Sequence, residues 1–172
     1  GDSVLLVAPL GEDASSCAVA HGLDATRVVA VYPLFGFAGR RSMMGTPVTD
    51  PAVLTRAQAL LAADGTPVSV LRDSPGFVAQ RILASIVNIA SQVASRGIAS
   101  PADIDTAMTL GLNYPRGPLS WGDRLGAGRL HNAMQALQAI TGSDRYRPGL
   151  WLRRRALLNL PLSTPDAAQG AR

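Results

Sequence analysis

Few residues in this chain are of a type that performs acid–base or nucleophilic chemistry. There are two histidines, His21 and His131, and one cysteine, Cys17, in 172 residues. Histidine is the side chain whose ordinary pKa lies near neutrality, so a general base is sought there first. His21 ends a helical stretch just before Gly22, where the helix dipole and solvent account for it. His131 lies in an amphipathic stretch with no acid at helical spacing and reads as a surface residue. Neither stands in a metal-ligand pattern with other His, Cys, Asp or Glu residues, so no metal is expected. Cys17, in Ala14-Ser-Ser-Cys-Ala18, reads as a small buried side chain. Dinucleotide chemistry would need Gly-x-Gly-x-x-Gly between a strand and a helix. The fragments Gly36…Gly39 and Gly126-Ala-Gly128 lack the third glycine and that context, so no cofactor-binding residue is expected. Arg153-Arg-Arg155 has no aromatics interleaved and reads as a solvated helix face rather than a nucleic-acid surface.

The composition points to a packed, helix-rich protein. Hydrophobic residues make up 47% and aromatics only 5%, so the core must be mostly Ala, Leu and Val. All sixteen basic residues are arginine and the net charge is +4. They are scattered, as GC-rich coding would scatter them, and nucleic-acid binding rests on charge alone. No apolar run reaches the roughly 18–20 residues of a membrane span. No secretory signal follows Gly1-Asp2, and a lone cysteine fits a reducing cytoplasm.

The elements that must position any site fall into two kinds. Residues 3–10 and 27–34 are short runs, apolar beyond their first residues Ser3 and Arg27, of the sort buried on both faces of a parallel sheet. Residues 12–21, between them, are helical in length. Asp50 and Pro51 open a helix with Leu54, Ala57, Leu60 and Leu61 at helical spacing, closed by Gly65. Residues 67–71 read as a last strand. The order is β-α-β-loop-α-β, a partial Rossmann-like sheet of about three strands with an open edge. Past Pro75 the reading is helical: 77–96 with the stripe Ile82, Ile86, Ile89, Val93; then Ser100-Pro101 through Met108 to Gly111; Pro118 to Leu125; 130–140; and 150–160. The tail from Pro161 lacks periodicity and is expected to be disordered.

Three motifs occur in order: Asp73-Ser-Pro-Gly-Phe-Val-Ala-Gln-Arg81, Ala102-Asp-Ile-Asp-Thr-Ala-Met108 and Gly117-Pro-Leu119. In this register they resemble the 3-hydroxyacyl-CoA dehydrogenase family, at the junction of its nucleotide-binding and C-terminal helical domains. The stretch from Asp103 to Gly122, with Arg145-Tyr-Arg-Pro148, looks like the C-terminus of the long phenylacetate-pathway members. The resemblance implies residues 1–75 as a degenerate Rossmann-like segment. Residues 76–160 would be an all-α helical domain of the 6-phosphogluconate-dehydrogenase C-terminal type, with a tail over 161–172. It implies an NAD-dependent oxidation of a 3-hydroxyacyl-CoA such as 3-hydroxyadipyl-CoA, and a homodimer through the C-terminal helices. The family's catalytic histidine would fall at Tyr32, its glutamate in Arg41-Ser-Met-Met-Gly45, and its asparagine at Gln80. All three types are lost here, which implies a decayed second repeat with no catalytic residue. Phe77, Gln80 and Arg81 are the candidates for a substrate cleft, although Gln80 and Arg81 read first as a satisfied pair tying helix to sheet. The expectation is the fragment of a larger dehydrogenase, itself inactive; the alternative is a stand-alone assembly module that kept the fold.

Overall fold

The computed structural model describes residues 3–32 and 39–167. Contacts divide the chain into two compact units, residues 1–81 with 139–142, and residues 82–138 with 143–172.

In the first unit, β1 (Leu5–Val7) pairs in parallel with β2 (Val28–Val31), and β3 (Arg41–Gly45) pairs in parallel with β4 (Val68–Leu71). The two pairs join through an antiparallel β2–β3 contact, giving the order β1-β2-β3-β4. Each parallel pair needs a crossover. Helix α1 (Ala14–Ala20) supplies it between β1 and β2, and α2 (Pro51–Leu61) supplies it between β3 and β4. All four residues of β2 are buried, so they alternate between two cores. Val28 and Ala30 join Met44 and Phe77 against Ala14 and Ala18 of α1. Val29 and Val31 join Met43 against Val53, Ala57 and Leu61 of α2. Each fully buried Val or Met side chain contributes about 1.5–3 kcal/mol over leaving it in water.

The sheet has four strands, one more than the sequence suggests. Arg41-Ser-Met-Met-Gly45 carries no β-branched residue, so propensity gives no strand signal. It is a strand because Met43 and Met44 point into opposite cores, each 0% exposed. The expected strand over 3–10 is only Leu5–Val7, and that over 27–34 is Val28–Val31; Pro33 and Leu34 lie outside the described residues, as does Gly36. The Asp50 cap with Pro51 at the first helical position is present, its carboxylate accepting from Ala52 N at 2.7 Å.

The long helix α3 (Phe77–Ser95) starts within the first unit's residues. It is the one described helix long and apolar enough to cross a membrane, but Gln80, Asn88 and Ser91 lie on its buried side, as in a core helix. That side is otherwise small: Ala84, Val87, Ala90 and Ala94. The expected apolar stripe lies elsewhere, with Ile82 55% and Ile89 62% exposed.

The second unit continues with α4 (Pro101–Leu112), α5 (Pro118–Leu125), α6 (Ala127–Thr141), a 3-10 turn over Asp144–Tyr146 and α7 (Leu150–Leu158). Ser100 caps α4 by accepting from Asp103 N at 3.2 Å, and Asn113 ends it at φ +54°. Met134 and Leu137 of α6 are 0% exposed, whereas Ile140 is 40% exposed.

The non-helical stretch 161–167 is packed, not disordered, while 168–172 lie outside the described residues. Leu162 is fully buried. Trp151 Nε1 donates to its carbonyl at 2.9 Å, and Asp123 accepts from its N–H and from the Ser163 hydroxyl. A Cβ at Gly122 would meet Leu162 Cδ1 at 2.3 Å and Val87 Cγ1 at 2.9 Å, so glycine is required where the segment crosses α5. Nor is Arg155 part of a solvated face: it is 4% exposed, lies over the Trp151 ring, and donates to Thr164 O and to Asp166 at 2.9 Å. The tail has no periodicity because one large side chain and a set of hydrogen bonds hold it. Leu162→Ala is expected to cost about 2–5 kcal/mol in urea unfolding. The same change at Leu160, 39% exposed, is expected to cost well under half of that.

Candidate functional site

The candidate residues gather around the Asp73-Ser-Pro-Gly76 turn that follows β4. Helix α1 begins with amide groups that have no partner within the helix. The Asp73 carboxylate accepts from Ala14 N at 2.7 Å, Ser15 N at 3.1 Å and Ser15 Oγ at 2.5 Å. Asp13 takes the next amide, Ser16 N, at 2.6 Å. Gly76 N donates to Glu12 O at 2.9 Å. Gln80, 2% exposed, closes the cluster: Oε1 accepts from Gly11 N at 2.8 Å and Nε2 donates to Pro9 O at 3.2 Å.

Phe77 is 1% exposed and its ring meets Tyr32 at 5.7 Å between centroids, tilted by 60°. Arg81 donates from Nε to Phe77 O at 2.7 Å, a bond within the first turn of its own helix. The structure therefore brings Tyr32, Phe77 and Gln80 into one neighbourhood. Gln80 and Arg81 both bond to backbone of the first unit and not to each other. Tyr32 follows β2, its amide donating to Ser42 O at 3.0 Å. Burial pushes its phenol above the usual tyrosine range, so a phenolate base there is disfavoured further.

The dinucleotide test turns on the same turn. A pyrophosphate binds free amides at a helix N-terminus, helped by the positive end of the dipole. Here the amides of α1 already face two carboxylates, and the first free amide of α2 faces Asp50. A second anion would meet occupied donors and like charge. The first amides of both helices are thus engaged by the chain's own carboxylates.

The remaining chemistry-bearing residues are dispersed. His21 is exposed at the C-cap of α1 and His131 is half-buried on α6. Cys17 is 5% exposed, and burial, with Glu12 and Asp13 nearby, raises its thiol pKa. Among the described residues no group of three His, Cys, Asp or Glu side chains is placed to hold a metal.

Sequence reasoning missed the second unit's main anchor. Asp105 accepts from Leu119 N at 2.7 Å, Ser120 N at 2.9 Å and the Ser120 hydroxyl, so it caps α5 from a distance. A Cβ at Gly117 would lie 2.2 Å from the Asp105 carboxyl carbon, which accounts for the glycine of the Gly117-Pro-Leu119 motif. The available signal was Gly at the N-cap with Pro behind it, a helix start with no side-chain cap of its own. In the same unit an apolar cavity of about 410 Å³ opens between α3 and α4, lined by Ile86, Ile89, Val93, Ile104, Ala107 and Met108 among others.

Residues 76–162 match the family model of the 3-hydroxyacyl-CoA dehydrogenase C-terminal domain. This chain belongs to the 3-hydroxyacyl-CoA dehydrogenase family. It is 40% identical over 158 residues to the 3-hydroxyadipyl-CoA dehydrogenase of Escherichia coli K12, covering 91% of this chain and 32% of that protein. It is 43% identical over 89 residues to a probable 3-hydroxybutyryl-CoA dehydrogenase of Deinococcus radiodurans, covering 52% of this chain and 32% of that one. A crystal structure titled 3-hydroxybutyryl-CoA dehydrogenase from Escherichia coli K12 superposes with a TM-score of 0.81 at 38% identity, over 91% of this chain and 32% of that chain. The chain thus spans about a third of the length of these relatives.

Tyr32 provides a pH test. Its folded pKa lies above the unfolded value near 10. The stability tied to the neutral phenol is therefore complete below about pH 10 and is lost as pH rises above that value. Absorbance titration at 295 nm is expected to show one tyrosine step delayed until unfolding, and Tyr32→Phe is expected to remove that step.

Proposed function

We propose that this chain is the C-terminal part of an NAD-dependent 3-hydroxyacyl-CoA dehydrogenase, serving as a dimerisation and substrate-cleft module without catalysis of its own. The observation that carries the non-catalytic part is the engagement of the α1 amides by Asp13 and Asp73, with the Gln80 amide bonded to the chain's own backbone. Catalysis needs a base near neutral pKa that a carboxylate orients, and Tyr32, with its pKa raised, stands where the family motif has its histidine. In the parent enzyme NAD would accept hydride from C3 of the thioester, giving the 3-oxoacyl-CoA. The 3-hydroxyadipyl-CoA dehydrogenase likeness supports a 3-hydroxyacyl-CoA of that kind as the substrate, in phenylacetate or fatty-acid catabolism of a bacterial cytoplasm.

The helical part, read as the 6-phosphogluconate-dehydrogenase C-terminal type, is proposed to pair with a second copy. Support comes from exposed apolar side chains on α3 and α4, with Ile82, Ile89 and Leu110 each more than half exposed, and from Ile98 in the turn between them. Faces of that kind on a soluble protein are commonly interfaces. Arg81, the half-buried member of the three cleft candidates, is the one with surface left to meet an acyl-CoA; Phe77 and Gln80 are proposed as its support. The alternative, a free-standing assembly module, draws on the same apolar face. Immunoblotting of the native source separates the two, because the alternative needs a free chain of this length.

The purified chain is expected to form no NADH from 3-hydroxyacyl-CoA and to release no heat with NAD in calorimetry. NADH formation that Tyr32→Phe abolishes would overturn this reading. Sedimentation is expected to show a dimer at micromolar concentration that Ile89→Asp converts to monomer; a wild-type monomer at high micromolar concentration would refute the pairing.

A further inference from the structure

The Gln80 side chain ends in a primary amide, yet it is 2% exposed. Its two polar atoms read two backbone groups on one short stretch, the Gly11 N–H at 2.8 Å and the Pro9 carbonyl at 3.2 Å. Both Pro9 and Gly11 are buried. A donor and an acceptor presented side by side and shielded from water are what a primary amide recognises, since it offers one acceptor and a donor on the same face. The backbone on both sides of this contact is left-handed: Gly11 at φ +81°, Gly76 at +69° and Phe77 at +49°. Phe77 carries a bulky side chain in a region such residues avoid, and a conformation of that kind persists only when its surroundings fix it. Its ring is held in the α1-side core, and Gly76 N is held by Glu12 O at 2.9 Å.

We infer that the turn after β1 is a primary-amide binding site occupied by the protein's own Gln80, and that this internal ligand keeps the strained Gly76-Phe77 start of α3 closed. The amide at position 80 is then unavailable to an acyl oxygen. The chemistry also ranks replacements. Asn is one methylene shorter, about 1.5 Å, and cannot reach both partners from the same helix. Glu would face Gly11 N correctly but would set an acceptor against the Pro9 carbonyl. Met keeps the volume and makes neither bond.

The test uses the full chain and residue-resolved amide exchange, with propionamide as the added probe and N,N-dimethylpropionamide, which has no N–H, as its control. In Gln80→Ala and Gln80→Met, the amides of Gly11 and of residues 77–81 are expected to exchange about ten- to a hundredfold faster, as loss of two buried hydrogen bonds implies. Amides of α4 to α7 are expected to keep their rates. Propionamide is expected to restore protection in Gln80→Ala, where the truncation leaves room, and not in Gln80→Met, where the thioether fills it. Unchanged exchange at Gly11 in both variants overturns the inference. So does acceleration spread evenly over the chain, or equal rescue by the dimethyl control. If Gln80→Ala does not fold, the exchange pattern of Gln80→Met decides alone.

Discussion

Backbone amides at the starts of helices must find acceptors, and at α1 and α5 an aspartate from a distant position supplies them. Asp73 takes the first amides of α1 across 58 or 59 residues, and Asp105 takes those of α5 across 14 or 15. Asp123 holds the start of the C-terminal segment across 39 residues. Each bond is charge-assisted and is therefore stronger than a neutral one. Each also fixes a long-range crossing that apolar packing alone would leave free to slide. The three motifs Asp73-Ser-Pro-Gly, Asp103-Ile-Asp105 and Gly117-Pro-Leu are the local signs of this arrangement. They look like signature sequence because two of them meet each other.

The same arrangement limits chemistry. A chain with 12 acidic residues has commonly some carboxylate left to orient a histidine or attract a cation. Here Asp13, Asp50, Asp73, Asp105 and Asp123 face backbone amides, while Asp64 and Asp166 pair with Arg41 and Arg155. The Arg41 guanidinium and Thr66 hold the Asp64 carboxyl well below the usual range. These seven carboxylates are engaged in holding the fold.

Much of the layout was legible from residue types. Asp50-Pro51, Ser100-Pro101 and Gly117-Pro118 marked helix starts, and the apolar runs around Leu5, Val29 and Val70 marked strands. What escaped had physical reasons. The strand at Met43-Met44 forms because both its faces are buried, a tertiary fact with no local propensity behind it. The α3 stripe was read from its isoleucines, but alanines line the inner face because helices pack closer on small residues. Arg155 and Leu162 looked like surface and tail because their partners, Trp151 and Asp123, lie 4 and 39 positions away in sequence. The role of Gln80 was half visible: its place beside the sheet was clear, whereas its bonds to Pro9 and Gly11 depend on a turn whose shape only the folded chain reveals.

The methionines at the centre of the sheet have a consequence for how the protein ages. Of the chain's four, Met43, Met44 and Met134 are fully buried, and Met108 lines the open cavity between α3 and α4. Thioether oxidation follows solvent access. Peroxide should therefore mark Met108 first, in the folded state, and reach Met43 and Met44 only when the two helices on either side of β3 part. Sulfoxide at those two positions would put polar oxygen into both cores at once. The sheet carries, in effect, a chemical record of every time it has opened.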